Sequence, residues 1–121
     1  MNFKSNKGIF LQIADNICHQ ILIGTLKAGD KIPSIRDLAA DFEVNRNTVL
    51  RTYTILNDAG IIDTKRGIGF FVADDAKDKI HEKERAEFFK TDLPEFINKV
   101  KLLKLNKNDL ENLITLIENN K

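Results

Sequence analysis

The chain has 121 residues, with 19 basic and 18 acidic side chains and a single cysteine. This length accommodates one hydrophobic core and an appendage, and leaves little room for a separate catalytic or ligand-sensing domain. One cysteine excludes an internal disulfide, and no Cys/His spacing resembles a metal site, so we expect no metal and no cofactor. Residues 1–7 lack the apolar run of a signal peptide, and no stretch of about 18 apolar residues follows. These features predict a cytoplasmic protein with no membrane partner.

The net charge of +1 gives no indication of nucleic-acid binding. Residues 1–75 carry nine basic and nine acidic side chains, which leaves ten and nine for residues 76–121. Any DNA-binding interpretation therefore depends on where the charges lie rather than on how many there are.

The first predicted helix covers residues 9–23. Its core-facing side chains recur at helical spacing, at Ile13, Ile17 and Ile21. Gly24 suits the end of this helix, because glycine adopts the conformation that helix C-termini favour. The next residues, 25–32, are predicted to form a turn.

Two further helices follow with few residues between them. Ser34 is the expected N-cap of a short second helix, whose predicted core-facing residues are Ile35, Leu38, Ala39 and Phe42. Asn45 is the expected N-cap of a third helix that ends at Ala59, before Gly60. A helical wheel of the third helix predicts one buried side, with Val49, Thr52, Tyr53 and Leu56. The opposite, exposed side carries Asn47, Leu50, Arg51, Thr54 and Asp58.

A β-hairpin is predicted after the third helix. Residues 61–65 and 70–73 are rich in β-branched and aromatic side chains, and they flank Arg66-Gly67-Ile68-Gly69. Three helices followed by a hairpin, with a tight turn between the second and third helices, predict a winged helix-turn-helix. In this fold the second helix supports the third, whose exposed side enters a DNA major groove about 12 Å wide. The fold class is thus mostly α with a small β-hairpin.

The composition changes at residues 74–76, which predicts a winged domain at residues 1–75 and a helical tail at residues 76–121. Apolar residues recur in the tail in steps of three and four, the spacing of a heptad seam, namely Ala86, Phe89, Leu93, Phe96, Val100 and Leu103. Pro94 removes one backbone donor within this seam, so we expect a kink near residues 90–94 or a break there. Because the spacing of the apolar residues continues unchanged across Pro94, a kink is favoured over a break. Asn106 and Asp109 are expected to cap a last helix.

The tail has more apolar surface than 46 residues can cover by themselves. We therefore predict that it pairs with a second copy of the chain, through Phe89, Leu93, Phe96, Val100 and Leu103. Packing within one chain is the alternative explanation of the same seam, and a small-ligand pocket at Phe88 and Phe89 has no support from the periodicity.

Three runs of sequence resemble the DNA-binding domain of the GntR family. They are GTLKAGDKIPSIRDLA at residues 24–39, VNRNTV at residues 44–49 and GIIDTKRGIGFFV at residues 60–72. The resemblance covers residues 9–73, and the short helical tail resembles that of the YtrA subfamily. It implies a transcriptional regulator, most often a repressor, that binds operator DNA as a homodimer and controls an operon for an ABC-type transporter.

The resemblance implies DNA contacts in three places, and the exposed side of the third helix adds two more residues. The candidate DNA-binding residues are Arg36, Asn45, Arg46, Asn47, Thr48, Leu50, Arg51, Lys65, Arg66, Gly67 and Gly69. Each has a structural alternative: a helix cap, an ion pair with a nearby carboxylate, a solvated surface position or the geometry of a hairpin turn. Leu50 is either an ordinary surface residue or a contact to a thymine methyl group.

Two positions depart from the family pattern. Glu43 stands where family members often carry glycine, so a strained or reshaped turn is expected there. Leu50 stands where some members carry a basic residue, and Arg51 comes one position later. The base preference of other members is therefore not transferred to this chain. The alternative function is a winged-helix module that binds protein rather than DNA, and an enzymatic function has little support because no nucleophile–base pair stands out.

Overall fold

The structure, a computed structural model, describes residues 8–120, which form six helices, one π-helical turn and three strands. In chain order they are α1 (Ile9–Leu22), β1 (Lys31–Ile32), α2 (Ile35–Phe42), α3 (Arg46–Asp58), β2 (Ile62–Lys65), β3 (Gly69–Val72), α4 (Ala76–Glu87), the π turn (Phe88–Asp92), α5 (Leu93–Leu102) and α6 (Lys107–Asn119). The predicted winged helix-turn-helix is confirmed. None of the helices in the described part is both long and apolar enough to cross a membrane.

The predicted N-caps form as expected. Ser34 Oγ accepts a hydrogen bond from the Asp37 amide at 3.1 Å, and Asn45 Oδ1 accepts one from the Thr48 amide at 3.0 Å. Each bond satisfies an amide that the first turn of a helix leaves without an intrahelical partner. Local sequence therefore determines where α2 and α3 begin.

The sheet has one more strand than the sequence predicts. Lys31 and Ile32, expected in a turn, form β1 and pair antiparallel with Phe71 and Phe70 of β3. The strand order is β1-β3-β2. A strand of two residues is too short to show an alternating pattern, and its partner lies about 40 residues further along the chain, so no local signal was available.

The core of the winged domain lies between α1, α2, α3 and the sheet, and includes Ile13, Val49, Ile62 and Val72. Phe42 was predicted to join it and does not: 37% of its surface is exposed. It is the last residue of α2, where the chain turns into Glu43, so little of the core lies beside it.

Tyr53 is the largest fully buried side chain. Its hydroxyl donates a hydrogen bond to the Pro33 carbonyl at 2.6 Å, and its ring contacts Phe70 edge-on with centroids 4.8 Å apart. Burial raises the pKa of the Tyr53 phenol well above its ordinary value, so the hydroxyl keeps its proton and remains a donor. Tyr53 thus connects α3 to the start of α2 and to β3.

The chain divides into two compact units, the first ending at Lys83 and the second beginning at Glu84. The first unit extends into α4 because Ala76 and Ile80 are buried in its core. This division describes packing, and the functional boundary after residue 75 stays a prediction.

In the second unit, no described residue of the π turn, α5 or α6 is buried. The backbone stays helical up to Pro94, with Leu93 at φ −63° and ψ −45°, so the chain does not break there. The Leu93 amide donates to the Phe88 carbonyl five residues earlier, the hydrogen bond of a π turn. Such a turn accommodates proline by widening the helix, and it is a known cause of helix bending.

Asn106 and Asp109 form the predicted reciprocal cap of α6.

We expect Tyr53→Phe to lower the free energy of unfolding by about 1 kcal/mol, because it removes the hydrogen bond to the Pro33 carbonyl without changing the packing of the ring. Urea unfolding followed by circular dichroism measures this change. Thr54→Val is the control, since the Thr54 hydroxyl is exposed and bonds only within its own helix, to the Leu50 carbonyl. Equal stability of wild type and Tyr53→Phe would contradict this role of the hydroxyl.

Candidate nucleic-acid interface

The turn between α2 and α3 positions α3, the helix expected to enter the major groove and called the recognition helix below. Glu43 adopts a left-handed conformation, with φ 55° and ψ 46°. Its amide donates to the Ala40 carbonyl at 3.2 Å, and the Val44 amide donates to the Ala39 carbonyl at 3.0 Å. Helices commonly end with a glycine in this left-handed conformation. Here the same ending is formed by Glu43, which has a side chain. The turn therefore retains its geometry, and Glu43 bears the steric cost of the positive φ.

The two sides of α3 are as predicted. Val49, Thr52, Tyr53 and Leu56 are buried, while Asn47, Leu50, Arg51, Thr54 and Asp58 are exposed. Leu50 has 49% of its surface exposed. Asn47, Leu50 and Arg51 therefore share one accessible side, which the buried side fixes in orientation.

The N-terminal end of α3 combines a side-chain cap with a cation. Asn45 Oδ1 lies 3.0 Å from the Thr48 amide and 3.3 Å from the Thr48 hydroxyl, so both side chains serve the cap. Arg46 follows at the first helical position and is exposed. Amides at a helix N-terminus attract anions, so a phosphate contact here is compatible with capping.

The ion pairs considered as alternatives for two arginines do not form. Among residues 8–120, neither Arg36 nor Arg46 is paired with a carboxylate. Both side chains are exposed. Both guanidinium groups therefore keep their donors available to an incoming ligand.

Arg51 has a partner that the sequence did not suggest. Its guanidinium carbon lies 3.8 Å from the centre of the Phe10 ring in α1. The two residues are 41 positions apart, so no periodicity or motif connects them. Arg51 is thus held against α1 while it remains on the exposed side of α3.

The wing is a tight hairpin. Gly67 and Gly69 have φ values of 78° and 143°, in the region that favours glycine, and the Ile68 amide donates to the Lys65 carbonyl at 2.8 Å. Ile68 is exposed at the tip, next to exposed Arg66.

Two lysines lie against the strands of the sheet. Lys65 Nζ lies 4.4 Å from the centre of the Phe71 ring. A side chain on Gly69 would place its Cβ 2.9 Å from Cε of Lys31, so the missing side chain leaves room for Lys31 to lie across β3. Lys31 belongs to β1 and was missed with it. The wing therefore carries Lys31 in addition to the predicted Lys65 and Arg66.

No group of three or more His, Cys, Asp or Glu side chains between residues 8 and 120 is placed to hold a metal ion. Cys18 is partly buried against the core.

Comparison with known proteins identifies this arrangement. The sequence profile of the bacterial regulatory proteins of the gntR family matches residues 10–72. The chain belongs to the GntR family. It is 40% identical over 119 residues to the HTH-type transcriptional regulator YhcF of Bacillus subtilis, covering 96% of this chain and 95% of that protein. It is 39% identical over 79 residues to the transcriptional repressor YtrA of the same organism, covering 65% of this chain and 61% of that protein.

Solved structures agree. A GntR family transcriptional regulator from Listeria monocytogenes matches with a TM-score of 0.72 and 35% identity, covering 93% of this chain and 97% of that one. The DNA-binding domain of AraR in complex with its operator matches with a TM-score of 0.51 and 30% identity, covering 53% of this chain and 77% of that one. The chain is a DNA-binding transcriptional regulator, as its sequence predicted, and its relatives include a protein named YtrA.

We expect Glu43→Gly to raise the free energy of unfolding by about 1 kcal/mol, because glycine adopts the positive φ at this turn without a steric cost. Glu43→Gln is the matched control: it removes the charge and keeps the strain, so its stability should stay within about 0.5 kcal/mol of wild type. Urea unfolding of the three proteins measures the difference. Equal stabilisation by both substitutions would assign the effect to charge instead.

Proposed function

We propose that this GntR-family protein is a homodimeric repressor that binds an inverted-repeat operator. Each subunit places the exposed side of α3 in the major groove of one half-site and lays its wing along the adjacent backbone. The observation that carries this proposal is the accessible side of α3, where Asn47, Leu50 and Arg51 lie above a buried side that fixes the helix, with Arg46 exposed in the first turn.

The residues on this surface suit different parts of DNA. An arginine such as Arg46 can donate two hydrogen bonds to the edge of a guanine, and Leu50 can contact a thymine methyl group. Asn47 can bond to adenine or to the backbone. These three residues are proposed to read sequence.

A second group is proposed to contact phosphates. Cations and bare backbone approach phosphate oxygens closely, and the candidates are Arg36, Asn45, Thr48, Lys65, Arg66, Gly67 and Gly69. Lys31, next to Gly69, extends this surface along the wing. Such contacts fix the position of the protein on the duplex and make affinity dependent on salt.

Dimerisation through the second unit is proposed because that unit has no buried residue of its own in α5 or α6. Its apolar side chains include Phe89, Phe96 and Leu103, with 51%, 42% and 65% of their surfaces exposed. Leu93 and Val100 are partly buried beside them. Apolar side chains at heptad spacing gain stability when a second copy covers them. In this proposal residues 1–75 bind DNA and residues 76–121 form the dimer.

The two-fold symmetry of such a dimer sets the form of the operator. Half-sites lie on the same side of the duplex, about one helical turn apart or somewhat more. Repression is proposed because the YtrA protein, to which the chain is similar, is named a repressor. Control of an ABC-transporter operon is proposed from the YtrA-like resemblance, and a transporter ATPase gene in the same operon would support it.

We expect Arg46→Ala to weaken binding to a duplex from the protein's own upstream region by about tenfold or more, since a bidentate contact to guanine is lost. Fluorescence anisotropy at low salt measures the affinity, and a nuclease footprint locates the site. Lys77→Ala, which removes one exposed cation from α4, is the charge-matched control and should bind within about twofold of wild type. A wild-type protein without a footprint would favour the protein-binding alternative.

We expect the wild-type protein to sediment as a dimer at micromolar concentration and Phe96→Glu to sediment as a monomer, because a carboxylate cannot be buried in an apolar seam without a large cost. Analytical ultracentrifugation distinguishes the two masses. Lys99→Gln, an exposed position in the same helix, should remain dimeric. A monomeric wild type would contradict the proposed dimer.

A further inference from the structure

Two consecutive residues of the recognition helix contact one residue of α1. The guanidinium carbon of Arg51 lies 3.8 Å from the centre of the Phe10 ring. The Thr52 hydroxyl donates a hydrogen bond to the Phe10 carbonyl at 2.7 Å, and Thr52 is fully buried. The backbone of Phe10 is thereby fixed against α3 at the same point where its ring meets Arg51.

The contact with the ring leaves the hydrogen-bonding capacity of Arg51 unused. A cation over an aromatic ring is attracted by the π face, which takes up no N–H donor. A guanidinium group has five such donors in a rigid plane. An arginine held in this way has already lost part of its conformational freedom, so a later contact through its N–H groups costs less entropy.

The absence of a side chain at Gly8 leaves space for the Phe10 ring. A side chain on Gly8 would place its Cβ 3.3 Å from Cε1 of Phe10, closer than nearly all such contacts. Gly8 has φ −59°, which any residue adopts, so a side chain at position 8 would be limited by space rather than by conformation. The ring therefore lies where a larger residue at position 8 would crowd it.

We propose that Phe10 is a positioning residue for DNA recognition, which holds Arg51 on the exposed side of α3 with its N–H donors directed to the operator. This inference rests on the proposed function, because Arg51 must contact DNA for its orientation to matter. It assigns a role in binding to a residue of α1, outside the helix-turn-helix and the wing.

A double-mutant cycle tests the proposal with four proteins: wild type, Phe10→Leu, Arg51→Ala and the double variant. Leucine keeps an apolar side chain and removes the ring, and the Thr52 bond to the backbone of residue 10 remains possible. We expect Phe10→Leu to weaken operator binding by about threefold to tenfold, in the range of a cation–π contact. In the Arg51→Ala background the same substitution should have no further effect.

A conservative variant separates positioning from folding. Phe10→Tyr keeps a ring over the guanidinium and should bind within about twofold of wild type. Thermal unfolding by circular dichroism checks that all variants are folded at the assay temperature. A merely structural role of Phe10 would lower the melting temperature of Phe10→Leu and weaken binding by the same factor with or without Arg51.

The outcomes distinguish this proposal from the one it rests on. If Phe10→Leu weakens binding by the same factor with and without Arg51, the positioning role is overturned. Full operator binding by Arg51→Ala would overturn it as well. In either case, a wild-type footprint that is lost in Arg46→Ala would leave the proposed function in place. A wild-type protein that binds no duplex from its upstream region would overturn both.

Discussion

The orientation of the exposed side of α3 depends on the burial of one tyrosine. Tyr53 projects from the buried side of α3, bonds to the carbonyl of Pro33 directly before the cap of α2, and contacts Phe70 of β3. One residue therefore links the supporting helix, the recognition helix and the wing. Because interiors are close-packed, a shift in any of the three elements would disturb the other two. The exposed side of α3 is consequently presented as part of a rigid unit.

The sequence predicted the parts of the site that rest on local signals. The caps at Ser34 and Asn45, the glycine turn of the wing and the buried side of α3 each depend on residues within one or two helical turns, where periodicity and capping rules apply. The contacts it missed are non-local: the pairing of β1 with β3, the passage of Lys31 over Gly69, and the contact of Arg51 with Phe10. A single sequence does not show which distant residues meet, so these three contacts could be seen only in the structure.

The tail illustrates the same distinction. Its heptad spacing and the cap of α6 could be seen in the sequence, whereas the response to Pro94 could not, because a missing donor permits a break, a bend or a wider turn. The π turn keeps the backbone helical through this point. It also contains more residues than an α-helical turn, so it alters the phase between Phe89 and the apolar side of α5. Any partner that covers both Phe89 and α5 must accommodate that change.

The balance of charge limits how the proposed interface achieves affinity. Residues 1–75 have equal numbers of acidic and basic side chains, yet six of the nine basic residues lie on α2, on α3, in the sheet or in its hairpin turn, namely Lys31, Arg36, Arg46, Arg51, Lys65 and Arg66. Affinity for any DNA grows with the number of phosphates neutralised. A protein whose acidic and basic side chains balance gains less from non-specific binding than a strongly basic one. Its affinity must come from contacts that require the correct geometry, which raises the ratio of specific to non-specific binding that a regulator needs.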